Sequence, residues 1–167
     1  MVIERVYPMT DIVRKVSKNL HENNLSLASA ESCTGGWVAK QITDIAGSSA
    51  IFDRGFVTYT NQAKQEMLGV QSVTLEQYGA VSEAVVIQMA EGALKFSHAD
   101  IALSISGIAG PGGGSEEKPV GTVCFGWMRK GGAALATTVV FKGDRDQVRR
   151  QSVDYALNGV IDLITGY

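Results

Sequence analysis

A compact apolar run, Ile101-Ala102-Leu103-Ser104-Ile105, ends against fourteen residues, Ser106 to Pro119, of which five are glycine and two are proline. Gly and Pro at that density forbid helix and strand alike, whereas the run before them has the length and branching of a buried strand. The chain must therefore hold a core strand that opens into a long loop, and loops beyond about 12 residues are usually functional or disordered. The rest of the sequence has to supply layers that cover such a strand.

It does so with alternating periodicities. Met9, Ile12, Val13, Val16 and Leu20 recur at helical spacing and predict a helix over Met9 to Asn23, with Thr10 as its cap. Leu25 to Ala30 alternates apolar and small polar residues like a strand, and Gly35 to Ile45 returns to a helical pattern. Ile51 to Tyr59 is β-branched and aromatic enough for a strand, Asn61 is the expected cap of a helix through Leu68, and Thr74 to Tyr78 forms one further turn. Ser82 caps a helix to about Phe96, Val120 to Met128 and Ala134 to Phe141 are strands joined around Lys130-Gly131-Gly132, and Asp144 caps a last helix to about Ile164. Helices alternating with strands, plus one late hairpin, predict a layered α/β domain with a mixed sheet.

With 167 residues, 45% of them hydrophobic, the chain has the size of a single domain with a full core, taken as residues 1–167. A net charge of −2 and the absence of a basic tract argue against nucleic acid as a partner. No apolar stretch approaches the roughly 20 residues that span a bilayer, and Met1-Val2-Ile3-Glu4-Arg5 lacks a signal-peptide layout, so a soluble cytoplasmic protein is expected. Cys33 and Cys124 form no CxxC pair, and neither His21 nor His98 has a partner at ligand spacing, so no metal site is expected.

Three informative segments, Glu31 to Gly36, Tyr59 to Lys64 and Ser106 to Pro119, each follow a predicted strand. Ligands of α/β sheets bind at the carboxyl ends of strands, so one shared pocket is expected. In the first segment, Ser32, Cys33 and Thr34 precede Gly35 and Gly36, a turn suited to an oxyanion hole; the alternative is that Ser32 or Thr34 merely caps the next helix. Cys33 rivals Ser32 as nucleophile, because a thiol at a helix N-terminus has a lowered pKa; it is equally a small buried hydrophobe.

In the second segment, a cap at Asn61 puts Lys64 at the third helical position, where the helix dipole disfavours an ammonium by about 0.3–1 kcal/mol. Partial burial would lower its pKa further, towards a neutral amine able to act as general base, with Tyr59 close by; a solvated lysine is the alternative. A serine with a lysine base and an assisting tyrosine can replace Ser-His-Asp. Ser115-Glu116-Glu117-Lys118 also fits S-x-x-K, but the glycines before it and Pro119 after it oppose the helix that motif needs. Arg145 opens the last helix against the dipole preference, a conflict that a bound phosphate would relieve.

Taken in order, Ala30-Glu31-Ser32-Cys33-Thr34-Gly35-Gly36, Gly47-Ser48-Ser49, Val57 to Lys64, Gly79-Ala80-Val81-Ser82, Ser106 to Pro111 with Gly113-Gly114-Ser115, Lys118 to Val123 and Gly143-Asp144-Arg145 carry a resemblance over about Met9 to Ile164. The chain resembles the CinA carboxyl-terminal domain family, whose stand-alone members include bacterial nicotinamide mononucleotide amidohydrolases.

The resemblance implies a three-layer α/β/α sandwich around a mixed, mostly parallel sheet. It also implies metal-free, cofactor-free hydrolysis of the carboxamide of nicotinamide mononucleotide to nicotinic acid mononucleotide and ammonia, and self-association. By the family's pattern Ser32 is the nucleophile, Lys64 its base and Tyr59 the assistant. In the mechanism this suggests, backbone N–H groups of Cys33, Thr34, Gly35 and Gly36 are expected to hold the oxyanion, and Ser106, Gly107, Gly110, Gly113 and Arg145 are expected to bind substrate, with Arg145 and the Gly107 to Gly114 loop on the ribose phosphate. Thr60 and Gly112 depart from the family's common residues, which motivates an alternative: a catalytically silent nucleotide-binding or regulatory module.

Overall fold

The computed structural model describes residues 9–166; the side chains of residues 9 and 10 fall outside the description, and with them the cap expected at Thr10. The order is α1 (Met9–Glu22), β1 (Leu27–Glu31), α2 (Trp37–Thr43), a 3-10 turn (Ser48–Ala50), β2 (Phe52–Val57), α3 (Asn61–Leu68), α4 (Ser72–Tyr78), α5 (Glu83–Lys95), β3 (Ile101–Gly107), β4 (Thr122–Arg129), β5 (Leu135–Val140) and α6 (Arg145–Thr165).

The strands form one sheet in the order β2-β1-β3-β4-β5. β1 pairs in parallel with both β2 and β3, while β3–β4 and β4–β5 are antiparallel, so β4 alone runs against the other four. The connection from β1 to β2 and that from β2 to β3 travel in opposite directions across the sheet. A constant crossover hand then demands helices on opposite faces, and α2 and the α3–α5 group do lie on opposite faces.

Side-chain alternation sorts the two faces by size. Leu27, Ile101, Leu103, Ile105, Val123, Phe125 and Trp127 face a core completed by α1, α2 and α6. The opposite face carries Ala28, Ala30, Ala102 and Cys124, and it is covered by α3, α4 and α5. Small residues there let α5 lie close enough for Ser104 Oγ to donate to the Val86 carbonyl at 2.6 Å. The large face supplies most of the apolar burial, at about 1.5–3 kcal/mol per buried aliphatic or aromatic side chain.

Three expected helix starts move, α4 beginning at Ser72 rather than Thr74. α3 is capped by Thr60, whose hydroxyl accepts from the Ala63 N–H at 3.0 Å, so Asn61 is the first helical residue and Lys64 the fourth, not the third. α2 begins at Trp37 rather than Gly35, behind a left-handed Gly36. Asp144 does cap α6, in a capping box closed by Gln147, and Ser82 caps α5 through the Val85 N–H.

Candidate active site

The register gathers the three segments. Glu31 pairs with Val57 on one side and Ile105 on the other, so β2, β1 and β3 end side by side. The main chain carries this pairing just past the strand ends: Ser32 N–H donates to the Ile105 carbonyl at 3.0 Å, and Thr58 N–H to the Glu31 carbonyl at 2.9 Å. Ser32, Thr58 and Ser106 therefore stand on one rim.

Glu31, which sequence reasoning missed as a functional residue, organises the turn after β1. It is fully buried. One carboxylate oxygen accepts from the Thr34 hydroxyl at 2.7 Å and the Val38 N–H at 2.9 Å. The other accepts from the Ala39 N–H at 3.1 Å and the Ser29 hydroxyl at 3.3 Å. A carboxylate is favoured at a helix start and satisfies amides that the helix leaves unpaired. Glu31 thus binds first-turn amides of α2 from a distance, the N-cap position itself is Gly36, and neither Ser32 nor Thr34 caps the helix. The signal was available in the alternation, which puts an acid on the same strand face as Leu27.

The chain reaches α2 through two left-handed residues, Gly35 at φ 63° and Gly36 at φ 100°, a conformation that a Cβ would strain. Gly35 N–H turns back to the Ser32 carbonyl at 3.1 Å. Of the four amides expected to form an oxyanion hole, those of Thr34 and Gly36 have no acceptor among the described residues, and that of Cys33 faces its own thiol.

The Ser32 hydroxyl meets Lys64. Nζ lies 3.0 Å from Ser32 Oγ, 2.8 Å from the Thr58 carbonyl and 3.5 Å from the Tyr59 carbonyl. Lys64 is 1% exposed, and no carboxylate pairs with it among the described residues. Burial without a counter-ion disfavours the ammonium and pulls its pKa below the usual lysine value. Carbonyl oxygens can only accept, so the two on Nζ take two N–H bonds. In a neutral amine this leaves the lone pair for the serine hydroxyl.

Cys33 behaves differently from expectation. The residue is 6% exposed, and burial pushes its pKa up to about 11, against the opposing influence of its own backbone N–H, Arg149 and Lys64. The predicted lowering fails because Cys33 lies three residues before the cap of α2, whose Val38 and Ala39 amides already face Glu31. A thiol held protonated is a poor nucleophile near neutrality.

Tyr59 and Arg145 form a second cluster at the rim. The Tyr59 side chain is 58% exposed, and its hydroxyl accepts from Arg145 at 3.1 Å; the same guanidinium donates to the Gly110 carbonyl at 2.9 Å. Tyr59 thus approaches Lys64 through its carbonyl and Arg145 through its phenol. Ser106 is buried, with its hydroxyl on the Ala80 carbonyl at 2.8 Å, and Gly107 pairs with Val123 in the sheet. Gly113 lies against Ile108 within the loop. Ser115 accepts from the Lys118 backbone amide, while Lys118 Nζ donates to the Tyr78 carbonyl, so the S-x-x-K pair does not act as one.

Arg149 was also missed. From α6, one turn beyond Arg145, it donates to the Cys33 carbonyl at 3.0 Å and the Thr34 carbonyl at 3.3 Å, and it stacks on Trp37 at 5.3 Å. Its spacing of four from Arg145 places both on one helix face, a pattern visible in the sequence. Among the described residues no three His, Cys, Asp or Glu side chains converge where a metal ion could be held, and no helix is long and apolar enough to cross a membrane.

Known proteins resemble the chain along nearly its whole length. The Escherichia coli (strain K12) nicotinamide-nucleotide amidohydrolase PncC is 58% identical over 149 residues, covering 89% of this chain and 90% of that protein. The PncC of Enterobacter agglomerans is 57% identical, covering 84% of this chain and 92% of its own. Among solved structures, the competence/damage inducible protein CihA from Agrobacterium tumefaciens superposes with a TM-score of 0.91 at 45% identity, covering 95% of this chain and 98% of the other. A CinA superfamily protein from Klebsiella pneumoniae superposes with a TM-score of 0.92 at 36% identity, covering 96% and 99%. The model of the CinA C-terminal domain matches residues 9–164, and the chain belongs to that family.

Proposed function

We propose that the chain hydrolyses the carboxamide of nicotinamide mononucleotide to nicotinic acid mononucleotide and ammonia, with Ser32 as nucleophile and Lys64 as base. The observation that carries this reading is the 3.0 Å contact between Ser32 Oγ and a lysine amine that is buried without a carboxylate partner. The 58% identity to a protein named nicotinamide-nucleotide amidohydrolase supports the substrate.

Lys64 Nζ takes the Ser32 proton as Oγ attacks the amide carbon, and the developing oxyanion is held by the amides of Thr34 and Gly36. The Lys64 ammonium then gives its proton to the departing nitrogen, and ammonia leaves an acyl-serine. Water attacks the ester, its proton passes to Lys64, and collapse returns that proton to Ser32 Oγ with release of the carboxylic acid. The positive charge of the substrate's pyridinium makes the amide carbon more electrophilic. Tyr59 assists at the mouth of the site, holding Arg145 where a ribose phosphate would sit against the Gly110 loop.

Ammonia release from nicotinamide mononucleotide is the test. Turnover is expected to survive a chelator and Cys33→Ala, and to fall by about 10³-fold or more in Ser32→Ala. Full turnover in Ser32→Ala would reject the serine mechanism. Tight nucleotide binding by a parent chain that releases no ammonia would make it a binding module.

A further inference from the structure

The peptide unit between Cys33 and Thr34 is planar, so its C=O and N–H point in opposite directions. Arg149 Nε, 3.0 Å from the Cys33 carbonyl, draws that oxygen towards α6. The Thr34 N–H on the same plane must then point away from α6. The α3 layer, from which Lys64 reaches Ser32 Oγ, covers the face of the sheet opposite α6, and this amide has no acceptor among the described residues. The second arm of the guanidinium, 3.3 Å from the Thr34 carbonyl, fixes the next peptide as well, which the Gly35 N–H bond to the Ser32 carbonyl closes into a turn. The Trp37 ring, 5.3 Å from the guanidinium, keeps the fork in plane.

We infer that Arg149 is a positioning residue for the reaction: by gripping the carbonyls of Cys33 and Thr34 it aims the Thr34 N–H at the oxyanion and polarises that donor. This rests on the amidohydrolase reading above. Arg149 acts through the backbone. It also differs from Arg145, whose contacts lie at the mouth of the site. A charged donor on a peptide oxygen strengthens the hydrogen bond its N–H can make, as in any chain of polarised hydrogen bonds. An oxyanion donor is used in the transition state and scarcely in the ground state, so its loss should appear in kcat. Lysine cannot replace the fork, because one ammonium cannot hold both carbonyls in a single plane.

The experiment compares the parent chain, Arg149→Lys and Arg149→Ala in ammonia release, alongside thermal transitions and the Thr34 amide resonance of ¹⁵N-labelled protein. Arg149→Lys keeps the charge and stem and serves as the variant expected to fold. The expected result is a fall in kcat of about 10- to 100-fold with KM changed less than about threefold. Methylguanidinium at sub-denaturing concentration should partly restore Arg149→Ala, and the Thr34 amide proton should move upfield in both variants. Unchanged kcat in folded variants overturns the inference, as does a rise in KM at constant kcat, which would mean that Arg149 grips the substrate itself. A parent chain without turnover fails the amidohydrolase reading instead, and the Thr34 resonance then decides the Arg149 clamp by itself.

Discussion

At the scale of single residues, the decisive contact is a lysine placed where its charge is disfavoured. Lys64 in water would hold its proton to about 10.5, whereas in the fold burial lowers that value. If the neutral amine is the base, kcat/KM must rise with pH along a limb whose midpoint lies below 10.5. Lys64→Met, which keeps the stem volume and removes the amine, should lose about 10²–10⁴-fold in kcat and abolish that limb; a limb that persists would assign the base elsewhere. That the Ser32 and Lys64 segments meet was legible in the sequence because each follows a strand-like run within a few residues, whereas the choice of Ser32 over Cys33 came only from the family resemblance. Glu31 and Arg149 were not singled out, because the bonds by which they shape the turn include main-chain groups, Val38 and Ala39 N–H for Glu31 and the Cys33 and Thr34 carbonyls for Arg149, which every residue carries.

At the scale of elements, the site depends on α3 being held against α5. Gly92 of α5 faces the backbone of Leu68 at the end of α3, and a Cβ there would overlap the Leu68 carbonyl. The helix propensity gained by Gly92→Ala, about 1 kcal/mol, is smaller than the overlap it creates with rigid backbone. The variant should lose about 1–3 kcal/mol in denaturant unfolding. It should also lose kcat disproportionately, since a shift of α3 by about 1 Å separates Lys64 from Ser32 and can cost about 10²-fold. A Gly92→Ala protein with parental stability and turnover would show that α3 adjusts freely. Element identities followed well from periodicity, but their ends did not. The cap of α3 moved from Asn61 to Thr60, and the first-turn amides of α2, which starts after Gly36, proved to be bound by Glu31, seven residues before Val38.

At the scale of the whole molecule, buried ionisable groups tie stability to pH. Between its lowered folded value and 10.5, Lys64 binds more proton in the unfolded chain than in the folded one, so stability rises with pH in that window. Cys33 acts in the opposite sense: between 9.0 and about 11 the folded thiol keeps a proton that the unfolded chain has lost, so stability falls. Each group contributes at most about 1.4 kcal/mol per pH unit. Denaturant titrations should therefore show stability rising into the alkaline range and flattening above about pH 9. The rise should disappear in Lys64→Met, and the flattening should weaken in Cys33→Ala, where buried Cys124, also raised, still opposes it. A wild-type profile with no alkaline rise would contradict a buried, charge-poor Lys64.

By itself the sequence determined the alternation of helix and strand, the mixed sheet and the three chemically loaded segments, because periodicity and glycine placement act over a few neighbouring residues. Only the tertiary structure decided what those segments do to one another. The order β2-β1-β3 brings three strand ends into one row, which lets a lysine on one layer reach a serine on another. The same packing removes water from Lys64, raises Cys33 and brings Arg149 under the turn from a helix more than a hundred residues away. Desolvation and hydrogen-bond direction are properties of what surrounds a group in space, and the local order of residues does not carry them.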